Sequence, residues 1–214
     1  MSRLRRYSPG GMVFHVLNRG VGRRMLFTKD EDFLAFERVI EESLRTRRMR
    51  LCAYCLMSNH WHFILWPERD GDLPAFMQQV TNMHVKRWKE HRHEIGYGHL
   101  YQGRYKCFPV ETEDYFYQVV RYVERNALRA NLAERAEAWR WSSYCQPAAN
   151  GRRTGGVALL RHSRSALRRS ELGYRHGQAI GAGMDAPASW KIKETSIGLP
   201  KPFIFLGFGG CHLF

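Results

Sequence analysis

Three things are scarce in this sequence: regularly spaced cysteines, long apolar runs and acidic residues. The five cysteines are odd in number and irregularly spaced, which argues against the disulfide framework of a small secreted domain. No uninterrupted apolar stretch of about 20 residues occurs, and the chain opens Met1-Ser2-Arg3-Leu4 without the apolar segment of a signal peptide. We therefore expect a soluble cytoplasmic protein that has no membrane partner.

Acidic side chains are outnumbered, with 20 Asp and Glu against 34 Lys and Arg and a formal charge of +14. Such a balance attracts polyanions over long range, so nucleic acid is the expected partner. Basic residues alternate with aromatic ones, as in Lys86-Arg87-Trp88-Lys89, and a surface of this kind combines phosphate contact with base stacking. Charge identifies no chemistry, however, because a binding module without an active site has the same composition.

The spacing of apolar residues predicts an α+β fold. Strands are expected at 12–18, 51–57, 60–66 and in the second half of 98–110, and helices at about 29–47, from 72 onward, and at 113–130. The order strand, helix, strand, strand, helix, strand, helix is that of a ferredoxin-like βαββαβ sandwich with an antiparallel sheet and an added C-terminal helix. One face of the sheet is expected to stay open for a ligand.

The character of the sequence changes after about residue 149. The stretch from there to 214 is basic and rich in Gly, Arg and Ser, with little periodicity. We expect one domain over residues 1–148 and a poorly ordered tail over 149–214.

Two histidines lie two positions apart in Ser58-Asn59-His60-Trp61-His62, at the start of a predicted strand. Alternate side chains of a strand share a face, so His60 and His62 project together while Trp61 packs into the core. This is half of a metal site. By itself, the pattern is more often a pair of polar residues on an exposed sheet face.

The predicted helix at 113–130 carries an apolar stripe and a separate stripe of polar side chains. At about 100° per residue, Tyr122 lies roughly 110° from the middle of the apolar stripe. It shares its own stripe with Asn126, one turn further on, and with Arg129. Asn126 could supply an oxygen ligand next to Tyr122 as a nucleophile.

If this helix crosses the open sheet face, His60, His62 and Asn126 could hold a divalent cation and leave coordination positions free. The Tyr122 oxygen would then attack a phosphodiester phosphorus and stay attached to it. A phenol has a pKa near 10, so it needs a base or a positive field. The sequence names no obvious base.

Several alternatives compete with this assignment. Tyr115 and Tyr117 are rival nucleophiles, but the positions four residues on hold Val119 and Arg121, which are neither amide nor carboxylate. Cys52 and Cys55 with the two histidines would suit a structural zinc site. Residues three apart in a regular strand face opposite sides, however, which favours these cysteines as core residues. His15 has no spaced partner and is interpreted as structural.

Four basic residues are candidates for phosphate contact, although charged side chains on loops and helices are frequently only solvated: Arg104, Lys106, Arg125 and Arg129. The positive field of the whole chain is expected to matter more than any one of them.

Two segments of the sequence resemble motifs of a known family. His60-Trp61-His62 resembles the His-hydrophobic-His motif of the HUH endonucleases, and Tyr122 to Ala130 resembles the catalytic helix of single-tyrosine transposases. The chain is more specifically similar to the REP-associated tyrosine transposases of bacteria over about residues 3 to 146. The further matching segments are Pro9-Gly10-Gly11, His15 to Gly20, Gln102 to Lys106 and Trp139 to Tyr144.

The resemblance implies a nuclease domain that binds hairpin-forming, REP-like single-stranded DNA and cleaves it with Mg²⁺ or Mn²⁺. It further implies a 5′-phosphotyrosine at Tyr122, a freed 3′-hydroxyl, and His60, His62 and Asn126 as metal ligands. A nucleoid-associated monomer or dimer would follow. The chain departs from the family in having Asn126-Ala127 where Asn-Pro is usual, and residues beyond about 150 match no known pattern.

Two other functions remain open. A catalytically silent protein could use the same basic face to bind folded DNA or RNA. Rolling-circle initiators and relaxases are a second rival, but they typically carry a third histidine or a second paired tyrosine, neither of which is evident here.

Overall fold

The structure is a computed structural model that describes residues 8–145, so the predicted tail at 149–214 lies outside the described residues. No helix within 8–145 is long and apolar enough to cross a membrane. Besides two single 3₁₀ turns, the described elements are, in chain order, β1 (Val13–Arg19), α1 (Asp30–Thr46), β2 (Met49–Met57), β3 (His60–Pro67), α2 (Asp72–His91), β4 (Lys106–Val110), α3 (Glu113–Glu124) and α4 (Asn126–Arg129).

The four strands form one sheet in the order β2-β3-β1-β4, and every neighbouring pair is antiparallel. Strands β2 and β3 are joined only by Ser58 and Asn59, which makes them a hairpin. This topology confirms the predicted ferredoxin-like βαββαβ sandwich. It also places β1 and β3, the two strands that carry the buried histidines, in the middle of the sheet.

The strands have apolar side chains on both faces, and each face has its own core. Alternate residues such as Phe14, Trp61 and Phe63 pack under α1 and α2. The opposite face, with Ile64 and Val110, packs under α3. Helix α3 therefore covers part of the sheet face that the sequence predicted to stay open, and it crosses that face beside the histidines.

The helix predicted over 113–130 is not continuous. Helix α3 ends at Glu124, Arg125 leaves the helical conformation (φ −95°, ψ 5°), and the one-turn helix α4 follows. The break turns Asn126 and Ala127 inward together. The Ala127 N–H then donates toward the Cys55 thiol, a bond that a proline at this position could not make.

Cys52 and Cys55 lie in the same core, under α3, rather than on opposite faces as regular strand alternation predicts. The reason is a β-bulge between Leu51 and Ala53, which shifts the register of β2 against β3. Burial raises the pKa of each thiol to about 12. Both thiols pack among apolar side chains of this core, which favours the interpretation of these cysteines as core residues.

A buried hydrogen-bond network anchors β3 from the face opposite its histidines. The Trp61 indole N–H donates to the Tyr101 hydroxyl (3.0 Å), and this hydroxyl forms a second hydrogen bond with Nδ1 of His84 on α2 (2.6 Å). All three side chains are buried. Because Trp61 stands between His60 and His62 in the sequence, the network fixes the strand segment that carries both.

We expect Tyr101→Phe to lower the free energy of unfolding by about 1–3 kcal/mol, because the Trp61 N–H loses its buried acceptor. Urea unfolding monitored by tryptophan fluorescence would measure the change. Tyr97→Phe is the matched control, since the Tyr97 side chain is exposed and its change is expected to stay within about 0.5 kcal/mol. Equal stability of the two variants would show that the Tyr101 hydrogen bonds do not hold β3 in place.

Candidate active site

His60 and His62 project from β3 on the face that α3 covers, and their ring centroids are 5.2 Å apart. The Nδ1–H of His60 donates to Asn59 Oδ1 (2.7 Å), and Nδ1 of His62 is hydrogen-bonded to Nε2 of His15 (2.9 Å). Each ring thus has Nδ1 occupied by a protein partner. Within residues 8–145 no hydrogen bond engages Nε2 of either ring, so Nε2 is the nitrogen that each could offer to a ligand.

Burial keeps both histidines neutral. It lowers the pKa of His60, with a further contribution from the positive charge of Arg19. It lowers the pKa of His62 well below the ordinary value, and the neighbouring His15 and His60 add to this effect. Neutral imidazole is the form that binds metal ions.

Tyr122 reaches the histidines from α3. Its ring centroid lies 6.0 Å from that of His62 and 6.1 Å from that of His15, edge-on to both. Burial raises the pKa of the Tyr122 phenol, while the charge of Arg129 and the side chain of Asn126 lower it. The Arg129 guanidinium carbon lies 5.4 Å from the centre of the Tyr122 ring. The Tyr122 ring therefore meets the histidines within a single chain.

Asn126 is buried at the start of α4. Its amide nitrogen makes no well-formed hydrogen bond among the described residues, although its side chain interacts with the Tyr122 hydroxyl. Such a buried N–H donor suits an acceptor such as a phosphate oxygen, whereas the amide oxygen of Asn126 is the atom that could bind a metal ion. The helix break at Arg125 explains the burial of Asn126, because it turns this residue inward, one turn beyond Tyr122.

These donors fit a divalent cation with open coordination. No group of three or more His, Cys, Asp or Glu side chains within 8–145 is arranged to hold a metal. The candidate metal ligands are the two neutral imidazoles of His60 and His62 and the amide of Asn126. Nitrogen and neutral oxygen donors suit Mn²⁺, and they suit Mg²⁺ when phosphate and water oxygens complete the shell.

The rival tyrosines lie elsewhere on α3. Tyr117 is exposed and its ring packs against Phe116, and Tyr115 is half-buried, with a pKa that burial and Glu111 raise. Neither ring contacts a histidine in the described part of the chain. The geometry therefore favours Tyr122 over both.

The four predicted phosphate-contacting residues are spread over the surface. Lys106 and His62 both pair with Leu17 on β1, so Lys106 shares the face of the histidines. Arg129 adjoins Tyr122. Arg125 is exposed at the helix break, and Arg104 lines a separate groove of about 1120 Å³ between α2 and residues 98–105. The structure brings only Lys106 and Arg129 to the site.

Two residues at the site were missed by the sequence-based assignment. His15, interpreted as merely structural, bonds the His62 ring directly. Arg19 pairs with His60 in the sheet and lowers the pKa of both His60 and Lys106. Strand alternation was the available signal, since His15 and Arg19 are four apart on β1 and face the same side.

Comparison with known proteins agrees with the fold. A solved structure described as a REP-associated tyrosine transposase bound to a REP hairpin matches with a TM-score of 0.57 and 20% identity, over 73% of this chain and 93% of that one. A Deinococcus radiodurans protein described as a candidate transposase matches with a TM-score of 0.40 and 18% identity, over 58% and 97% of the two chains. None of the curated proteins matches this sequence.

Taken with the fold, a family-model match defines the class of this protein as a DNA-cleaving transposase. The family model for IS200-like transposases matches residues 10–126. The chain therefore belongs to the IS200-like transposase family, and the match includes His60, His62, Tyr122 and Asn126.

Proposed function

We propose that this transposase is a metal-dependent endonuclease and strand transferase that cleaves hairpin-bearing single-stranded DNA through a 5′-phosphotyrosine at Tyr122. The observation that carries the proposal is the position of the Tyr122 ring, 6.0 Å from the His62 ring and within the same chain. A nucleophile beside two neutral imidazoles and a buried amide is suited to phosphoryl transfer.

The bond changes are those of an in-line displacement. The Tyr122 oxygen forms a bond to phosphorus, the bond from phosphorus to the 3′ oxygen breaks, and the phenol proton is lost to solvent while the 3′ oxygen takes up a proton. His60, His62 and Asn126 would hold Mg²⁺ or Mn²⁺, which when bound withdraws charge from a non-bridging phosphate oxygen. The product is a 5′-phosphotyrosine and a free 3′-hydroxyl, ready for rejoining.

Three cationic side chains lie beside the histidines and would attract the phosphate backbone of DNA: Arg19, Lys106 and Arg129. Their field adds to the overall charge of +14. Arg104 and Arg125 would contact DNA further from the bond that is cut. Similarity to a transposase described as bound to a REP hairpin supports a hairpin substrate. Since His60, His62, Tyr122 and Asn126 come from one chain, a monomer would suffice for cleavage.

The direct test is to incubate the full-length protein and Mg²⁺ with a set of end-labelled, hairpin-bearing single-stranded oligonucleotides. A covalent adduct that survives denaturing electrophoresis is expected, with the modified peptide containing Tyr122 by mass spectrometry. Hairpin-free single strands of the same composition are the control. Tight binding without any adduct across the set would instead support a catalytically silent DNA-binding protein.

Arg129→Gln is expected to slow adduct formation by about three- to tenfold at a fixed pH, because loss of the neighbouring charge raises the pKa of Tyr122. Below that pKa the phenolate fraction rises about tenfold per pH unit, so both proteins should react faster from pH 7 to 9. Single-turnover rates at saturating DNA would show this. Arg121→Gln removes an equal charge from an exposed position of α3 that is not among the causes of the Tyr122 pKa shift, and it should react at the wild-type rate; equal slowing of both variants would contradict the local effect.

A further inference from the structure

We propose that His15 is a positioning residue for His62: its Nε2 accepts a hydrogen bond from Nδ1–H of His62 and so presents the His62 Nε2 lone pair to the metal ion. The inference rests on the proposed function and assigns a role to a residue that lies outside the predicted ligand set.

Asn59 holds the ring of His60 through a hydrogen bond. The Nδ1 of His60 lies 2.7 Å from Asn59 Oδ1. A carbonyl oxygen can only accept, so His60 must carry its proton on Nδ1 and keep a lone pair on Nε2. Asn59 therefore sets the tautomer of one histidine of the pair.

The Nδ1 partner of His62 is Nε2 of His15, a ring nitrogen that can either donate or accept. A metal ion shared by both histidines requires a lone pair on Nε2 of each. His62 meets this requirement only if its proton is on Nδ1, which makes His15 Nε2 the acceptor across the 2.9 Å hydrogen bond. Partners of this kind fix the orientation and tautomer of metal-binding imidazoles.

Packing holds the His15 and His62 rings in place. The rings of His15 and His62 lie edge to edge and nearly coplanar, with centroids 5.2 Å apart and an interplanar angle of 17°, as the hydrogen bond between their nitrogens requires, and both are buried between β1, β3 and α3. Phe108 on β4 packs against the other side of His15 (6.2 Å). His15 also meets the edge of Tyr122. One buried ring thus supports both a proposed ligand and the proposed nucleophile.

The inference is tested by the position of the His62 proton and by metal affinity, both measured without DNA. In long-range ¹H–¹⁵N spectra of the metal-free, full-length protein, His62 should carry its proton on Nδ1. For Mn²⁺ followed by electron paramagnetic resonance, His15→Phe should bind about ten- to a hundredfold more weakly than the wild type. His15→Gln, which retains an acceptor, should stay within about threefold of the wild type.

The outcomes separate this inference from the proposed function. A proton on Nε2 of His62, or a folded His15→Phe that binds Mn²⁺ as tightly as the wild type, would overturn the role of His15 even if DNA is cleaved. If the His62 proton is on Nδ1 but the protein never forms a DNA adduct, the role of His15 is supported. The proposed activity is then refuted. Should His15→Phe fail to fold, the wild-type spectrum still decides.

Discussion

Tyr122→Phe should abolish the covalent DNA adduct, with a loss of at least about a thousandfold in cleavage rate, because phenylalanine lacks the oxygen that bonds to phosphorus. The ring itself is retained, so the edge contacts with His15 and His62 should persist. DNA affinity should therefore change by about fivefold at most, the equivalent of one ordinary hydrogen bond.

Two measurements on the same samples distinguish chemistry from binding. Denaturing electrophoresis reports the adduct, and fluorescence anisotropy of a labelled hairpin reports affinity. Tyr117→Phe is the matched control, since it removes a hydroxyl from the same helix at an exposed position and should leave both quantities unchanged. An adduct that survives in Tyr122→Phe and disappears in Tyr117→Phe would move the nucleophile to Tyr117.

The strand pattern was sufficient to predict the fold and the pairing of His60 with His62. Alternation along β3 depends only on neighbouring residues, and Trp61 and Phe63 mark the face that packs under α1 and α2. The same local reasoning placed Asn126 one turn beyond Tyr122. The structure brings these side chains together as the sequence indicated, whereas their chemical roles remain predictions.

What the sequence did not show depends on contacts between distant segments. His15 lies 47 positions from His62, and only the register of β1 against β3 reveals that their rings meet. The helix break at Arg125 has no Pro or Gly to announce it. It follows from packing of Asn126 and Ala127 against the sheet, with the Ala127 N–H directed at Cys55. Tertiary contacts of this kind override helix propensity.

The break also explains how one short segment can serve both chemistry and packing. A straight helix over 113–130 would hold Asn126 on the stripe of Tyr122, away from the core. The break instead buries Asn126 while Arg129 remains exposed beside the Tyr122 ring. The proposed ligand is thereby held in a dry environment, and the cation that lowers the pKa of Tyr122 stays at the surface, where it could also meet DNA.

His60→Ala should lower the rate of adduct formation by about a thousandfold, or about 4 kcal/mol in transition-state stabilisation, because one of the two imidazoles proposed to hold the metal ion is lost. His60 is the better choice of the pair. It is half-buried at the start of β3 and, among the described residues, hydrogen-bonded to its neighbour Asn59 alone, whereas His62 is buried and hydrogen-bonded to His15.

Adduct formation by the wild type should also depend on a bound metal ion. Chelation with EDTA should stop adduct formation, and added Mg²⁺ or Mn²⁺ should restore it, while His60→Ala should recover little at the same metal concentration. His91→Ala, which replaces an exposed histidine at the end of α2, should behave as the wild type. Hairpin affinity should be nearly equal in all three proteins, because phosphate contacts come from the cationic surface and not from the imidazoles. Cleavage by His60→Ala at the wild-type rate in Mg²⁺ would exclude this histidine as a ligand and leave Tyr122 with a different source of phosphate activation.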